Sequence, residues 1–523
     1  MRTLDLGALL SSGLLGVLAL HVAGCFGTRD DCAQNPLLSC GPWTTHKVLP
    51  PECSGDPTAK NVIEACGVFV QADAMGTTED GSKANPYKTL QKAIDGAAGK
   101  RVYACTSKPF IEAVTITSSV EMYGGFDCTK GWAWSQDRRS ALNGPADAVA
   151  LTIETSAGGT KVEGFAITAA SAGKAGGSSI AVAVDDVAAE LVRCDVKAGD
   201  AAAGMDGQKP SGTATQGADA AMPDATTMKA CIALGAVMGG APGVTICEDG
   251  ATAGGLGGKG GITGTINGDG QPGAEGSLMG IANGLGGAGE SATTCVSGGA
   301  GKDGDPGPAG PGGSAPGLLT LSGITIADNT DGLPGTKAQG GGGGGGAKAG
   351  TFCPAGSMTI DGVGASGGGG GAGGCGGKGG GGGKAGGSSL AIVSLGTNLV
   401  LTDVTLAVGK AGKGGTGVAG QSGGAVGAGV FGGAASGTSP SKPGCKGGDG
   451  GTGGDGGPGG GGRGGHAIGL AYAKALSPTP TIKTFTPGTP GNGGTAGTGA
   501  TTSNGASGAS GQCWDFGIHA ACL

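Results

Sequence analysis

The sequence predicts an all-β fold: a right-handed parallel β-helix (solenoid) interrupted by long Gly-rich insertions. An apolar-x-x-apolar-x-apolar pattern recurs five times, and its copies begin at Val162, Val192, Leu321, Leu401 and Ile482. Four copies follow a second apolar, strand-like run, and these runs are residues 148–153, 180–184, 390–393 and 467–472. The first two copies are 30 residues apart, which is close to one coil of a solenoid. The longer spacings leave room for insertions at the turns.

Glycine is concentrated in the second part of the chain. Of 127 glycines among 523 residues, 23 lie in residues 1–200 and 104 in residues 201–523. That second part has too few large side chains to offset the backbone entropy lost on folding, which excludes an ordinary globular domain there. Collagen is excluded because Gly is not sustained at every third position. The formal charge of −7 and the lack of a dense Lys/Arg patch argue against a nucleic-acid partner.

The N-terminus predicts export and lipid anchoring. Residues 6–20 form an apolar run broken only by small residues, as in the hydrophobic part of a signal peptide. The run ends in Val22-Ala23-Gly24-Cys25, which resembles the lipobox of bacterial lipoproteins. The resemblance implies that Cys25 carries the lipid that anchors the protein to a membrane. Phe26, rather than Asp, follows Cys25; by resemblance to lipoprotein sorting rules, this favours the outer membrane and cell surface of a Gram-negative bacterium. An ordinary signal peptide and an uncleaved membrane helix are the alternatives.

The sixteen cysteines indicate a disulfide framework, since an exported chain with this many cysteines is expected to be oxidised. Without Cys25 the number is odd, so one thiol is buried or pairs between chains. No Cys-x-x-Cys occurs, and zinc-ribbon or iron–sulfur sites therefore lack their usual ligand pairs. Sequence proximity suggests the local pairs Cys105–Cys128, Cys231–Cys247, Cys353–Cys375 and Cys513–Cys522.

Five regions follow from these patterns. They are a lipoprotein signal peptide (1–24), a Cys-containing tether or cap (25–66), an N-terminal cap with the first β-helix rungs (67–200), rungs with Gly-rich insertions (201–487), and a Gly/Thr/Ser-rich tail with a C-terminal Cys pair (488–523).

The segment after residue 66 carries a family resemblance. A strand-like run at 67–70 precedes a loop and NPYKTLQKAI at 85–94, in which Leu90, Ala93 and Ile94 share one face of a short helix. Strand-like runs follow at 101–105, 113–117 and 120–125. This succession resembles the N-terminal cap of right-handed parallel β-helix proteins, which include secreted domains of unknown function and polysaccharide lyases. The Gly-rich continuation resembles PE-PGRS-like lipoproteins; the PE domain is absent, so this likeness implies no shared role.

The glycine tracts at 340–346, 367–383 and 447–465 allow two states. They are either flexible loops or a bundle of extended three-fold helices that approach closely because they lack Cβ atoms.

No motif predicts catalysis or a cofactor. The histidines of the mature chain, His46, His466 and His519, are far apart. Gly364–Gly368 matches GxSxG around Ser366, but no His/Asp partners follow. Residues 298–305 begin like a calcium roll but have no tandem copy, and Asp449 and Asp455 have the wrong glycine offset. We therefore expect no metal and no catalytic residue.

Two polar groups remain as weaker candidates. One comprises Asp185, Asp186, Glu190, Arg193 and Asp195, and the other Asp137, Arg138 and Arg139 after Trp132 and Trp134. A β-helix lyase or hydrolase would need clustered carboxylates, but these residues are interpreted as solvated strand positions and a loop salt bridge.

The sequence thus favours a lipid-anchored surface protein with a structural, adhesive or matrix role and no catalytic activity. Its partners would be the membrane and extracellular polysaccharide or other surface proteins. The alternatives are a carbohydrate-active β-helix protein, either a polysaccharide lyase or hydrolase or a glycan-binding module, and a mostly disordered spacer.

Overall fold

The computed structural model describes residues 50–59, 62–280, 282–327 and 330–522. The predicted signal peptide, the lipidation site Cys25, and Cys32, Cys40 and His46 lie outside the described residues, as does most of the predicted tether.

The described chain contains one α-helix, α1 (Leu90–Gly96), and many short strands. The strands are β1 Gly67–Val70, β2 Arg101–Cys105, β3 Phe110–Ile111, β4 Val114–Ile116, β5 Glu121–Asp127, β6 Ala133–Trp134, β7 Ser140–Gly144, β8 Leu151–Ile153, β9 Thr160–Glu163, β10 Phe165–Ala169, β11 Ser179–Val184, β12 Ala189–Val192, β13 Asp195–Lys197, β14 Val244–Cys247, β15 Gly250–Ala253, β16 Leu318–Thr320, β17 Gly323–Thr325, β18 Gly350–Ala355, β19 Met358–Gly362, β20 Ser389–Ser394, β21 Leu399–Thr402, β22 Val404–Ala407, β23 Ala467–Tyr472, β24 Ile482–Thr486, β25 Ser510–Asp515 and β26 Ala520–Ala521. Short 3₁₀ helices occupy Pro51–Cys53, Pro57–Ala59, Cys128–Lys130, Leu234–Ala236 and Ile266–Gly268.

The strands form three large, mainly parallel sheets. The first has the order β1-β2-β5-β9-β12-β21, with β6 antiparallel to β5. The second runs β24-β22-β13-β10-β7-β3, and the third β26-β25-β23-β20-β11-β8-β4. Three antiparallel hairpins, β14–β15, β16–β17 and β18–β19, lie apart from them.

The prediction of a single β-helix is wrong. The described strands divide among separate sheets and hairpins. The Gly-rich residues between β13 and β20 are inserted between strands that pair directly, since β11, β12 and β13 pair with β20, β21 and β22. The apolar pattern did mark strands: four of its five copies fall on β9–β10, β12–β13, β21–β22 and β24. The copy beginning at Leu321 instead lies in the hairpin β16–β17, whose two strands pair with each other. A six-residue pattern cannot distinguish two strands that enter different sheets from a strand pair that folds back on itself.

The largest hydrophobic core is shared by the three sheets. It contains Val102 and Leu191 from the first sheet, Ile167 from the second and Val182 from the third, all almost fully buried. Helix α1 adds Leu90, Ala93 and Ile94 to this core, as its sequence pattern predicts. The carboxylate of Glu112 accepts hydrogen bonds from the first helical amides, Leu90 N at 2.7 Å and Gln91 N at 3.1 Å, and so caps the positive end of the helix.

The Gly-rich residues form a second packed region, which we call the glycine bundle. Its extended segments lie within residues 199–313, 330–387, 408–465 and 488–509, and their backbone hydrogen bonds repeat every three residues. For example, the amides of residues 335, 338, 341, 344 and 347 donate to the carbonyl oxygens of residues 377, 374, 371, 368 and 365. This period is that of polyproline II helices, which have no internal hydrogen bonds. Of the two states that the sequence left open, the structure has the packed one.

A central segment of the bundle is bonded to neighbours on all sides. The amides of Gly341, Gly342 and Gly343 donate to the oxygens of Gly371, Gly299 and Ala274. Their carbonyl oxygens accept from the amides of Gly255, Gly448 and Gly287. These six partners lie on six different segments, so three consecutive residues direct their backbone groups to six neighbours. A Cβ atom on Gly342 would overlap the backbone oxygen of Leu285, so only glycine allows this approach.

The spacing of non-glycine residues reflects depth in the bundle. The central run 340–346 is all glycine, and all its residues are buried. In 447–460, a side chain at every third position, such as Thr452 and Asp455, reaches the exposed side. The segment 298–313 keeps Gly at every third position and carries Lys, Asp, Pro and Ala at most of the others. Fewer glycines are needed where fewer neighbouring backbones approach.

Disulfides connect distant parts of the glycine bundle. The structure pairs Cys105 with Cys128 and Cys513 with Cys522, the same partners as the sequence proposal. The expected local pairs Cys231–Cys247 and Cys353–Cys375 are wrong, because Cys231 bonds Cys353 and Cys247 bonds Cys375. Further bonds are Cys53–Cys66 and Cys295–Cys445. Segments that are adjacent in the bundle are far apart in sequence, so proximity along the chain misassigned the partners.

Among the described cysteines, Cys194 alone is not in a disulfide. It is fully buried in the main core. Burial raises the pKa of its thiol to about 11, so it behaves as a small apolar side chain.

Candidate ligand groove

A polar groove lies where the hairpin β14–β15 meets the glycine bundle. Its volume is about 420 Å³, within the usual range of about 300–1,000 Å³ for small-molecule sites. The residues that define it include Ser211, Thr213, Thr215, Ile246, Glu248, Pro334, Lys378 and Gln421. They come from five separate parts of the sequence.

The walls of the groove are held rigidly. The disulfide Cys247–Cys375 ties β14 to the bundle segment 364–387. On β15, the hydroxyl of Thr252 donates to the carbonyl oxygen of Ala338 at 2.9 Å. The third wall is fixed by the amide of Cys375, which donates to Thr215 O at 3.0 Å. The groove is therefore preorganised by a disulfide and by hydrogen bonds to backbone carbonyl oxygens.

Several polar groups in the groove are available to a ligand. The side-chain hydroxyls of Ser211, Thr213 and Thr215 have no hydrogen-bond partner among the described residues. Gln421 uses its Oε1 to accept from Lys378 N at 3.0 Å, which leaves its amide NH₂ group for another acceptor. The site thus offers both donors and acceptors close together.

The charges beside the groove are largely paired. Lys378 Nζ lies 3.2 Å from Glu248 Oε1, and Lys337 Nζ lies 3.9 Å from Asp249 Oδ2. Asp249 also borders a smaller depression of about 230 Å³, where Lys302 Nζ lies 3.2 Å from Asp305 Oδ1. Pairing leaves little net charge to attract an ionic ligand.

One apolar side chain stands at the rim. Ile246 of β14 is 80% exposed and lies beside the disulfide Cys247–Cys375 and Pro334 in the groove lining. The groove therefore combines unpaired hydroxyl groups with a small apolar surface. Sequence reasoning missed it; its single local signal is the Ser/Thr-containing stretch 211–215, which interrupts the glycine spacing.

The aspartates considered for calcium bind backbone amides instead. Asp303 Oδ1 accepts from Thr452 N at 2.7 Å, Asp449 Oδ1 from Gly429 N at 2.8 Å, and Asp455 Oδ1 from Gly423 N at 2.8 Å. Burial raises the pKa of Asp449, but the hydrogen bond from Gly429 N and the nearby Lys446 outweigh it and hold the pKa below its ordinary value. The part of the chain that the structure describes contains no group of three or more His, Cys, Asp or Glu side chains arranged to hold a metal.

The same aspartate arrangement recurs along one side of the bundle. Asp200, Asp206 and Asp219 accept from the amides of Lys410, Thr416 and Ala428 at 2.6–2.7 Å. In each case the residue that follows the aspartate in sequence donates its backbone amide to the carbonyl oxygen of the same Lys, Thr or Ala. These side chains accept hydrogen bonds from backbone amides of the bundle.

Ser366 and His466 are both buried. The hydroxyl oxygen of Ser366 accepts from Gly260 N at 3.2 Å inside the bundle, so the GxSxG match does not form an exposed nucleophile. His466 lies at the start of β23, where its Nδ1 accepts from Ala509 N at 3.0 Å. Burial lowers the pKa of His466 to about 4, and the positive charge of Arg463 acts in the same direction. His519 is exposed near the C-terminus.

The carboxylates at 185–195 do not converge on one site. Asp186 pairs with Lys474 at 2.5 Å, whereas Asp195 lies 3.9 Å from Arg139. The latter contact joins the two polar groups found in the sequence.

Arg193 is part of the same junction. Its Nη1 donates to Gln136 O at 3.1 Å, its Nε lies 3.3 Å from Glu163, and its guanidinium covers the Trp134 ring at 4.7 Å. This junction is a packed ion-pair network between neighbouring strands and a loop.

No helix in the described ranges is both long and apolar enough to cross a membrane. Comparisons with protein families, with curated proteins and with solved structures gave no match for this chain.

Proposed function

We propose that this chain is a lipid-anchored cell-surface protein that acts as a rigid structural or adhesive scaffold and has no catalytic activity. Cys25 is the residue that would carry the lipid, and the outer membrane of a Gram-negative bacterium is the proposed location. The partners are the membrane, through the lipid, and extracellular polysaccharide or other surface proteins.

The glycine bundle is the observation that carries this proposal. Its segments are joined in three dimensions by backbone hydrogen bonds, and the segment 364–387 alone would extend roughly 70 Å at about 3.1 Å per residue. Three disulfides with sequence separations of 122, 128 and 150 residues cross-link it. Such bonds persist in oxidising compartments outside the cytoplasm, and a stiff, cross-linked body suits a role in display or mechanical support.

The anchoring is tested in cells that express the full chain. Metabolic labelling with an alkyne analogue of palmitate should label the wild type, and the Cys25→Ser variant should lose both the label and its place in the membrane fraction. Protease added to intact cells should release fragments of the wild type. An unlabelled wild type that fractionates with soluble proteins contradicts the anchoring, and depolymerisation of polysaccharide by the purified protein contradicts the absence of catalysis.

A further inference from the structure

We propose that the groove between β14–β15 and the glycine bundle binds a neutral saccharide unit of a hexopyranose polysaccharide. This inference deepens the proposed function by naming the chemical class of its extracellular partner. It rests on that function for the location of the partner, but the binding itself is a property of the purified chain.

The first argument is the match between free polar groups and sugar hydroxyls. Ser211 and Thr213 are exposed, line the groove, and have hydroxyls without a partner among the described residues. The free NH₂ group of Gln421 adds a donor. A hydroxyl group both donates and accepts, so neighbouring hydroxyls of a sugar can exchange hydrogen bonds with such a set.

The second argument concerns charge. Lys378 is paired with Glu248 at 3.2 Å, and the amide of Lys337 donates to Asp249 Oδ2 at 3.0 Å. The groove lining holds two carboxylates, Glu248 and Asp249, and one ammonium group, Lys378. A phosphate or a uronate therefore meets no unpaired cation in the lining, whereas a neutral ligand leaves these contacts intact. The groove therefore favours an uncharged sugar over an acidic one.

The third argument is the apolar rim. Ile246 projects into solvent at the edge of the groove even though the neighbouring Cys247 is buried. The C–H face of a pyranose ring can cover such a side chain and remove its apolar surface from water. Since the disulfide at Cys247 fixes this strand, little ordering cost accompanies the contact.

The test is affinity electrophoresis of the mature chain carrying Cys25→Ser, in native gels that contain dextran, galactan or mannan, with alginate as the anionic comparison. We expect at least one neutral polysaccharide to retard the protein and alginate to leave it unretarded. The double variant Ser211→Ala/Thr213→Ala and the single variant Ile246→Asn should each weaken the retardation at least tenfold. The matched control Thr501→Ala, at an exposed threonine outside the groove, should behave as the parent.

Three results overturn the proposal: no retardation by any neutral gel, retardation by alginate alone, or retardation that the groove variants keep. The altered side chains are exposed, and an unchanged circular dichroism spectrum distinguishes lost binding from lost structure. Because Cys25 is replaced throughout, these results are independent of the lipid-labelling experiment.

Discussion

A single methyl group in the centre of the glycine bundle should be strongly destabilising. A Cβ on Gly344 would overlap the backbone oxygen of Cys445 and would lie 2.6 Å from the oxygen of Lys446. Ordinary contacts begin near 3.4 Å, so the segment that contains Cys445 has to move away. No side-chain rotation can relieve this overlap, because the obstructing atoms belong to the backbone.

The cost follows from the bonds between these two segments. Cys445 N donates to Gly345 O at 3.0 Å, and Gly448 N donates to Gly342 O at 2.7 Å. Losing both costs about 2 kcal/mol at about 1 kcal/mol each, and residual overpacking adds about 1–3 kcal/mol. The smaller entropy of the unfolded alanine variant returns about 0.4–1 kcal/mol. Gly344→Ala should therefore lower the local free energy of unfolding by about 2–5 kcal/mol.

Hydrogen–deuterium exchange with the disulfides intact measures this effect. Each 1.4 kcal/mol is a factor of about ten in an equilibrium, so bundle amides near Gly344 should exchange roughly 30 to 2,000 times faster. The matched control is Gly235→Ala, where a Cβ would have nothing within 4 Å and φ is not left-handed. Equal exchange in the two variants would refute the reasoning that close backbone packing requires glycine.

Three further outcomes follow from the structure. Replacing Cys295 and Cys445 by alanine removes a disulfide between residues 150 apart in sequence. By loop entropy this should lower the free energy of unfolding by about 5 kcal/mol, against about 2.6 kcal/mol for the same change at the C-terminal disulfide. The Cys295/Cys445 double variant should therefore have the lower denaturant midpoint of the two. Asp206→Ala should destabilise by about 1 kcal/mol because Thr416 N loses its acceptor, whereas Asp206→Asn keeps an acceptor oxygen; equal loss in both would show that charge matters instead. The pKa of His466 is about 4 in the folded state, against 6.5 ordinarily. The unfolded state therefore binds the proton more readily than the folded state. The free energy of unfolding should fall by about 3 kcal/mol as the pH drops from about 6.5 to about 4. His466→Asn should remove that pH dependence and His519→Asn should not; unfolding of the wild type at pH 4, 5 and 6.5 checks it.

The aspartates of the glycine bundle bind backbone amides that are not bonded to another glycine segment. A β-sheet edge leaves unpaired amides that invite another strand, and the surface of a glycine bundle has the same problem. Side chains such as Asp200 and Asp206 bond these amides within the chain. The acidic residues within the tracts therefore have a structural explanation that composition alone did not provide.

Many of the strands could be predicted from the sequence because large apolar side chains recur in it at regular spacing. Val162 and Ile167, like Leu401 and Leu406, are buried in strands at the predicted positions. The groove could not be predicted in the same way. Ser211, Ile246 and Lys378 lie far apart in sequence, and no local pattern states that a hairpin and a glycine segment will meet.

The sequence by itself determined that the chain is rich in β structure, that its cysteines form disulfides, and that 104 of its glycines lie beyond residue 200. Side-chain volume and spacing encode these properties locally. Only the tertiary structure decided that the strands form separate sheets, that Cys231 bonds Cys353, and that the glycine tracts pack into a bundle. Glycine has no side chain whose size or polarity could indicate in the sequence which segment it packs against. Its neighbours are determined by backbone hydrogen bonds, which form only when the whole chain is folded.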